Sequence, residues 1–161
     1  MTDVKPGPVI EIRDLRIEAK ANDQWSQIVR GVSLTIGKGE VLGLVGESGA
    51  GKSTIGLAAL GYLRPGARAT GGSVRLMGTD LLTIPEEERR PLRGTKVAYV
   101  AQSAQAAFNP VHRLMDQITM VAVDRGGLTR EEAAKRAVDL FTALQLPDPQ
   151  NFGERYPHQV S

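Results

Sequence analysis

Residues 46–53 read Gly-Glu-Ser-Gly-Ala-Gly-Lys-Ser, and no other stretch narrows the fold of this chain as much. The octet lies between the apolar run Val41-Leu42-Gly43-Leu44-Val45 and a segment rich in Leu, Ala and Ile from Thr54 to Leu63. A continuous apolar run of this length reads as a strand buried on both faces. The segment after the octet stops before Arg64-Pro65-Gly66 and reads as a helix with a sharp end. Strand, glycine loop and helix in that order make a cradle for phosphate. Glycines let successive N–H groups turn inward around phosphate oxygens, and the helix adds the positive end of its dipole. In such a cradle Gly46, Glu47, Ser48, Gly49, Ala50 and Gly51 line the phosphates of a nucleotide such as ATP. Lys52 places an ammonium between the β and γ phosphates, the Ser53 hydroxyl is the candidate Mg²⁺ ligand, and Thr54 lies beside the α phosphate.

Length and charge bound the rest. With 161 residues, 41% of them hydrophobic and 24% charged, the chain suits one globular domain with its own core. Twenty Lys and Arg against eighteen Asp and Glu give a net charge of +2, so no nucleic-acid partner is expected. The absence of cysteine excludes disulfides and thiolate metal sites. The first residues, Met-Thr-Asp-Val-Lys-Pro-Gly-Pro, hold no apolar export segment, and a cytoplasmic protein is the expectation. His112 and His158 lack metal-ligand spacing and read as surface residues.

The apolar pattern gives two antiparallel strands, Val9–Ala19 and Val29–Ile36, parted by the polar stretch Lys20–Ser26. Further strands are expected at Ser73–Met77 and Lys96–Ala101. The charged segment Asp80–Arg93 carries Pro85, which suits a helix's first turn, and the run Glu86-Glu87-Glu88-Arg89-Arg90 reads as a solvated face. Beyond Gln102 the pattern turns helical, with Leu114–Val123 and Thr129–Leu144 as candidates. Thr129 and Glu132 make a capping box, and Ala133, Ala137, Leu140, Phe141 and Leu144 fall on one face. Asp80 and Asp116 read as structural.

Many enzyme branches share the glycine loop, and further residues decide among them. Gly39-Glu40-Val41-Leu42-Gly43-Leu44-Val45-Gly46-Glu47-Ser48-Gly49 resembles the lead-in of ABC transporter ATP-binding subunits, above all the dipeptide, oligopeptide and nickel importer branch. Gly78-Thr79-Asp80-Leu81-Leu82 with Leu92-Arg93-Gly94 is similar to that branch's segment before the Q-loop, and Tyr99-Val100-Ala101-Gln102 sets a glutamine at a strand end. Phe108-Asn109-Pro110 and Tyr156-Pro157-His158-Gln159-Val160-Ser161 resemble the stretch after the Q-loop and the lead into the signature motif. The resemblance runs from about Val9 to Ser161.

The resemblance implies an α/β P-loop NTPase of ABC type. An antiparallel β-subdomain with the P-loop core would span 1–101, and the Q-loop with the helical subdomain 102–161, truncated before the Walker B strand. It makes Gln102 the Q-loop glutamine, a second Mg²⁺ ligand beside Ser53 and, with Lys52, a catalytic residue. Trp25 falls near the place where the family sets a ring against adenine, and reads equally as a partly buried packing residue; Ser161 opens the signature that acts in trans on a second cassette. The implied partners are that second cassette and transmembrane permease subunits, met through 102–117, at the inner face of the cell membrane. The implied function is energising import of peptides or similar small solutes. Ser103-Ala104 replaces the branch's usual Asp-Pro after the glutamine, which blurs the subgroup. The Walker B aspartate, catalytic glutamate and switch histidine fall beyond Ser161, so the segment alone is expected to expose apolar surface and not to turn over ATP. A soluble ABC ATPase acting on ribosomes or DNA, which should show a basic strip, and a fragment that at most binds nucleotide are the alternatives.

Overall fold

The polar stretch between the first two apolar runs holds a turn of only two residues. In the computed structural model, which describes residues 7–103 and 107–160, Asn22 and Asp23 are both left-handed, with φ of 49° and 60°. Two consecutive positive φ values match the right-handed twist of a hairpin, and Asn and Asp tolerate them best after glycine. The strands therefore run through the stretch expected to separate them: β1 spans Ile10–Ala21 and β2 Gln24–Ile36, with Ala21 opposite Gln24 and Lys20 opposite Trp25. With β3 (Ala67–Leu76) and β4 (Thr79–Asp80) they form an antiparallel sheet in the order β2-β1-β3-β4.

The chain divides into two compact units, Met1–Arg93 and Gly94–Ser161. In the first, Ile12, Leu15 and Ile17 of β1, Val29 of β2 and Val74 and Leu76 of β3 are buried together with Ile55, Ala58 and Leu81. Each large aliphatic side chain contributes roughly 1.5–3 kcal/mol by leaving water. The buried set skips from Ile12 to Leu15 because the register shifts there, at Asp14 with φ 44°. Opposite that bulge sits Gly72 (φ 83°), where any Cβ would run into the carbonyl oxygens of Arg13 and Asp14, so the bend admits only glycine.

Helix α1, Lys52–Ala58, follows Gly51 and is shorter than the Thr54–Leu63 pattern suggests. Gly61 takes φ 65°, its N–H donates to the Ala58 carbonyl at 2.8 Å, and the Tyr62 N–H donates to Leu57 at 3.1 Å. That pair of bonds is the Schellman closure, which stops a helix at a left-handed glycine. The short helix α2, Glu86–Arg89, and a 3-10 turn at Arg90–Leu92 end the unit. Asp80, the last residue of β4, is structural: its carboxylate accepts from the N–H groups of Leu82 and Val74 at 3.1 and 3.4 Å.

Two expected strands are absent. Val41–Val45 is unpaired, with Val41 94% and Val45 99% exposed, and Lys96–Ala101 is likewise not a ladder strand, with Val100 91% exposed. An extended run becomes a strand only through a neighbour's hydrogen bonds, and a doubly buried one needs parallel partners. Among the described residues neither run joins the sheet, and Val97 makes only an isolated bridge across a tight turn, with the Gly94 N–H donating to its carbonyl at 2.7 Å.

The second unit holds α3 (Leu114–Asp124), α4 (Arg130–Ala143) and α5 (Pro149–Phe152). The capping box forms as its spacing predicts: the Glu132 N–H donates to the Thr129 hydroxyl, and the Glu132 carboxylate accepts from the Thr129 N–H at 2.8 Å. The buried stripe is narrower than expected, because Ala133, Ala137 and Phe141 are buried but Leu140 and Leu144 are exposed. α4 meets α3 and α5, and its Phe141 ring lies 5.1 Å from that of Phe152, so only residues on that arc find partners. Gln117 ties the preceding loop to α3, donating to the carbonyls of Asn109 and His112 at 3.0 Å and accepting from the Asn109 N–H at 2.8 Å. Among the described residues no helix is long and apolar enough to cross a membrane.

Candidate phosphate-binding site

The octet 46–53 forms a loop that closes on itself. Gly49 and Gly51 are left-handed (φ 83° and 84°), and the Ala50 N–H donates to the Glu47 carbonyl at 3.2 Å. A Cβ on Gly51 would lie 2.9 Å from the Ile28 carbonyl oxygen of β2, so the loop is drawn against the sheet where only glycine fits. The Lys52 ammonium arches back over the loop and donates to the carbonyls of Gly46 and Glu47 at 2.7 and 2.5 Å. An ammonium has three protons, and those two bonds fix its place while leaving donor capacity for an anion.

The first N–H groups of α1, at Lys52, Ser53 and Thr54, have no acceptor within the helix. Among the described residues no side chain caps this end and no acidic residue stands in its first turn. Donors, dipole and ammonium therefore converge without a competing carboxylate, which is what a polyphosphate requires. Ser53 is exposed, and its hydroxyl is the oxygen donor that suits a hard cation such as Mg²⁺.

Two clefts lie within the first unit, one against the loop and one against the helix that follows it. One, of about 380 Å³, lies between β2 residues Gln27–Arg30 and loop residues Gly49 and Ala50. The other, of about 260 Å³, is bounded by Thr54 and Leu57 of α1, Ile28 of β2, Ala19 and Lys20 of β1, and Tyr62. Trp25, the ring the sequence offers to adenine, does not line this second cleft. Its lining comes from four separated segments, and no local pattern joins them. Trp25 is 41% exposed, and the Arg68 guanidinium lies 3.9 Å over its ring while bonding the Glu18 carboxylate at 2.9 Å. One face of the indole is thus already taken by a cation.

The structure brings Gly46 through Thr54 together. Gln102 belongs to the second unit, is exposed, and follows a segment that is not a strand. Ser161 lies outside the described residues, as does Ala104. The run 86–90 is more than a solvated face, because Glu86 pairs with Arg89 and Arg93, and both arginines reach the end of α1. No local pattern marks the Glu86–Arg93 pair, because the helix ends at Arg89 and Arg93 is extended.

A glycine loop of this form, opening a helix beside an antiparallel hairpin sheet and followed by a helical unit, defines a P-loop nucleotide-binding protein. The family model described as ABC transporter matches residues 29–161. The chain belongs to the ABC transporter family. A Brucella abortus (strain 2308) protein named for peptide import and ATP binding is 35% identical over 158 residues, covering 98% of this chain and 48% of its own. The Oligopeptide transport ATP-binding protein OppD of Mycobacterium tuberculosis is 34% identical over 155 residues, covering 96% of this chain and 25% of its own. The chain spans about half the length of the first of these relatives and a quarter of the second. The fold matches the dimeric structure of the bacterial ABC transporter cassette MJ0796 with a TM-score of 0.78 at 23% identity, over 94% of this chain and 63% of that one.

Proposed function

We propose that this chain is the ATP-binding part of a subunit that energises ABC-type import of peptides or similar small solutes, working at the cytoplasmic face of a membrane. The observation that carries the reading is the preformed phosphate loop, with the Lys52 ammonium held across its mouth and the N-terminus of α1 uncapped behind it. The names of the relatives support the transport class and the peptide substrate.

In this reading Gly46–Gly51 and the first N–H groups of α1 bind the phosphates, and Lys52 exchanges its loop carbonyls for the β and γ oxygens. Ser53 would hold Mg²⁺, which when bound supplies charge neutralisation between the terminal phosphates. Thr54 orients the α phosphate. Trp25, its ring steadied by Arg68, offers its other face to adenine. Functionally 1–101 would be the β-subdomain and P-loop core and 102–161 the Q-loop and helical part. Ser161 would act on the nucleotide of a second cassette, and residues 102–117 would meet the permease subunits.

Titration of the chain with Mg-ATP tests the nucleotide site. Replacing Lys52 with Ala removes charge-assisted bonds of about 1.5–3 kcal/mol each, so affinity should fall roughly 10- to 100-fold. Quenching of the single tryptophan should track the same titration. A Lys52→Ala chain with wild-type affinity would end the assignment, and binding without quenching would remove Trp25 from the site. The exposed run Val41–Val45 favours a narrower second reading, in which this chain alone binds nucleotide without turnover. Magnesium-dependent phosphate release by the purified chain would exclude it.

A further inference from the structure

We propose that Arg93 is a positioning residue for the phosphate loop, fastening the C-terminal end of the helix whose N-terminal end carries Lys52 and Ser53. The proposal rests on the phosphate-loop reading above.

Helix α1 is short, and its Schellman closure satisfies the carbonyls of Leu57 and Ala58 through the N–H groups of Tyr62 and Gly61. The carbonyls of Leu60 and Gly61, a residue further on, lie past the last helical bond. Arg93 takes both: Nε donates to the Leu60 carbonyl at 3.1 Å and Nη2 to the Gly61 carbonyl at 2.8 Å. Arg89 adds a second donor to Gly61 at 3.3 Å. The other edge of the Arg93 fork grips Glu86, with Nη1–Oε1 at 2.6 Å and Nη2–Oε2 at 3.1 Å. The Arg93 side chain remains a quarter exposed.

Three physical consequences follow. Two guanidinium groups at the negative end of α1 complement its dipole, as the phosphates do at the other end. The planar fork binds a carboxylate and two carbonyls at once, a geometry that a lysine ammonium does not reproduce. Gly61 is closely packed: a Cβ there would lie 3.0 Å from the Leu81 Cβ and 3.1 Å from the Arg89 Cδ, so the helix end fits against both residues only as glycine. Glu86 is held in its charged form, its pKa lowered chiefly by the Arg93 hydrogen bond, in keeping with a standing pair. A short helix pinned at its far end presents Lys52 and the loop N–H groups in a fixed direction. That matters because anion recognition by convergent donors tolerates only about 0.5 Å of displacement.

The test is calorimetric titration of the chain with two probes, Mg-ATP and inorganic tripolyphosphate. Arg93→Ala should weaken both by about threefold to tenfold at unchanged stoichiometry, and Arg93→Lys should recover only part of the loss. Glu87→Gln, an exposed carboxylate on the same short helix, should match wild type. A purely structural role would lower the bound stoichiometry through unfolding and leave the affinity of the folded fraction intact, which would overturn the proposal. Should Arg93→Ala fail to fold, Arg93→Lys and Glu86→Gln carry the test: weaker tripolyphosphate binding at full stoichiometry supports it, and wild-type affinity overturns it. Weakened Lys52→Ala beside unchanged Arg93 variants sinks the proposal alone. Wild-type tripolyphosphate affinity in Lys52→Ala sinks the phosphate-loop reading and the proposal with it.

Discussion

Two stretches of the first unit are built from the same aliphatic residues and end in opposite surroundings. In β1 the side chains of Leu15 and Ile17 have no exposed surface, whereas Val41 and Val45 are almost fully exposed. Hydrophobicity does not separate them, since Val45 is as apolar as Val29. What separates them is a partner: β1 is hydrogen-bonded on both edges, by β2 and β3, while the run 41–45 has no strand neighbour among the described residues. Burial is thus a property of pairs of segments, and a single segment's composition states only its appetite for one. The capping box of α4 shows the opposite case, a partner three residues away that is always at hand.

The contrast can be broken most forcefully at Leu15. Leu15→Ala should cost about 2–5 kcal/mol of the first unit's stability, read by urea unfolding followed through the emission of Trp25. A loss below about 1 kcal/mol would mean that β1 is no better packed than the exposed run. Thr129→Ala, which deletes a local partner, should cost about 1 kcal/mol, seen as a lower midpoint in the helical circular-dichroism signal. The same cap gives a sign for pH. The Thr129 backbone N–H and then its hydroxyl lower the Glu132 pKa, so the contribution is present above the ordinary glutamate value and is lost as pH falls through the folded value. Acid titration should therefore destabilise the wild-type second unit more than Thr129→Ala. At the small end, Val45→Ser should change stability by no more than about 0.5 kcal/mol. A larger loss would show that the run is buried in solution after all.

Locality also explains what could be read from the chain. The phosphate loop was legible because glycines, lysine and serine sit within eight residues, and the structure folds them into one cradle. The α4 cap was legible for the same reason. The hairpin turn was hidden inside polar residues 20–26, where nothing but the left-handed tolerance of Asn22 and Asp23 marks it. The bulge at Asp14 needs Gly72 across the sheet, and the seat of α1 needs Arg93, more than thirty residues away. Leu140 and Leu144 matched the helical period yet stay exposed, Leu140 at the rim of a cleft beside Ile118 and Ala122 of α3. Gln102 was named through the order of motifs, and its backbone lacks the strand that such an order implies.

The Asn22-Asp23 turn has a kinetic consequence. It closes β1 onto β2 with a loop of two residues, whereas β3 reaches β1 only after the whole phosphate loop and α1 have intervened. Hairpins form within about 1–10 μs, and closing a longer loop carries a larger entropy cost. The hairpin is therefore expected to be the template onto which β3 later docks. Substitutions at Asn22 should slow refolding of the first unit, while those at Gly72 should mainly speed its unfolding.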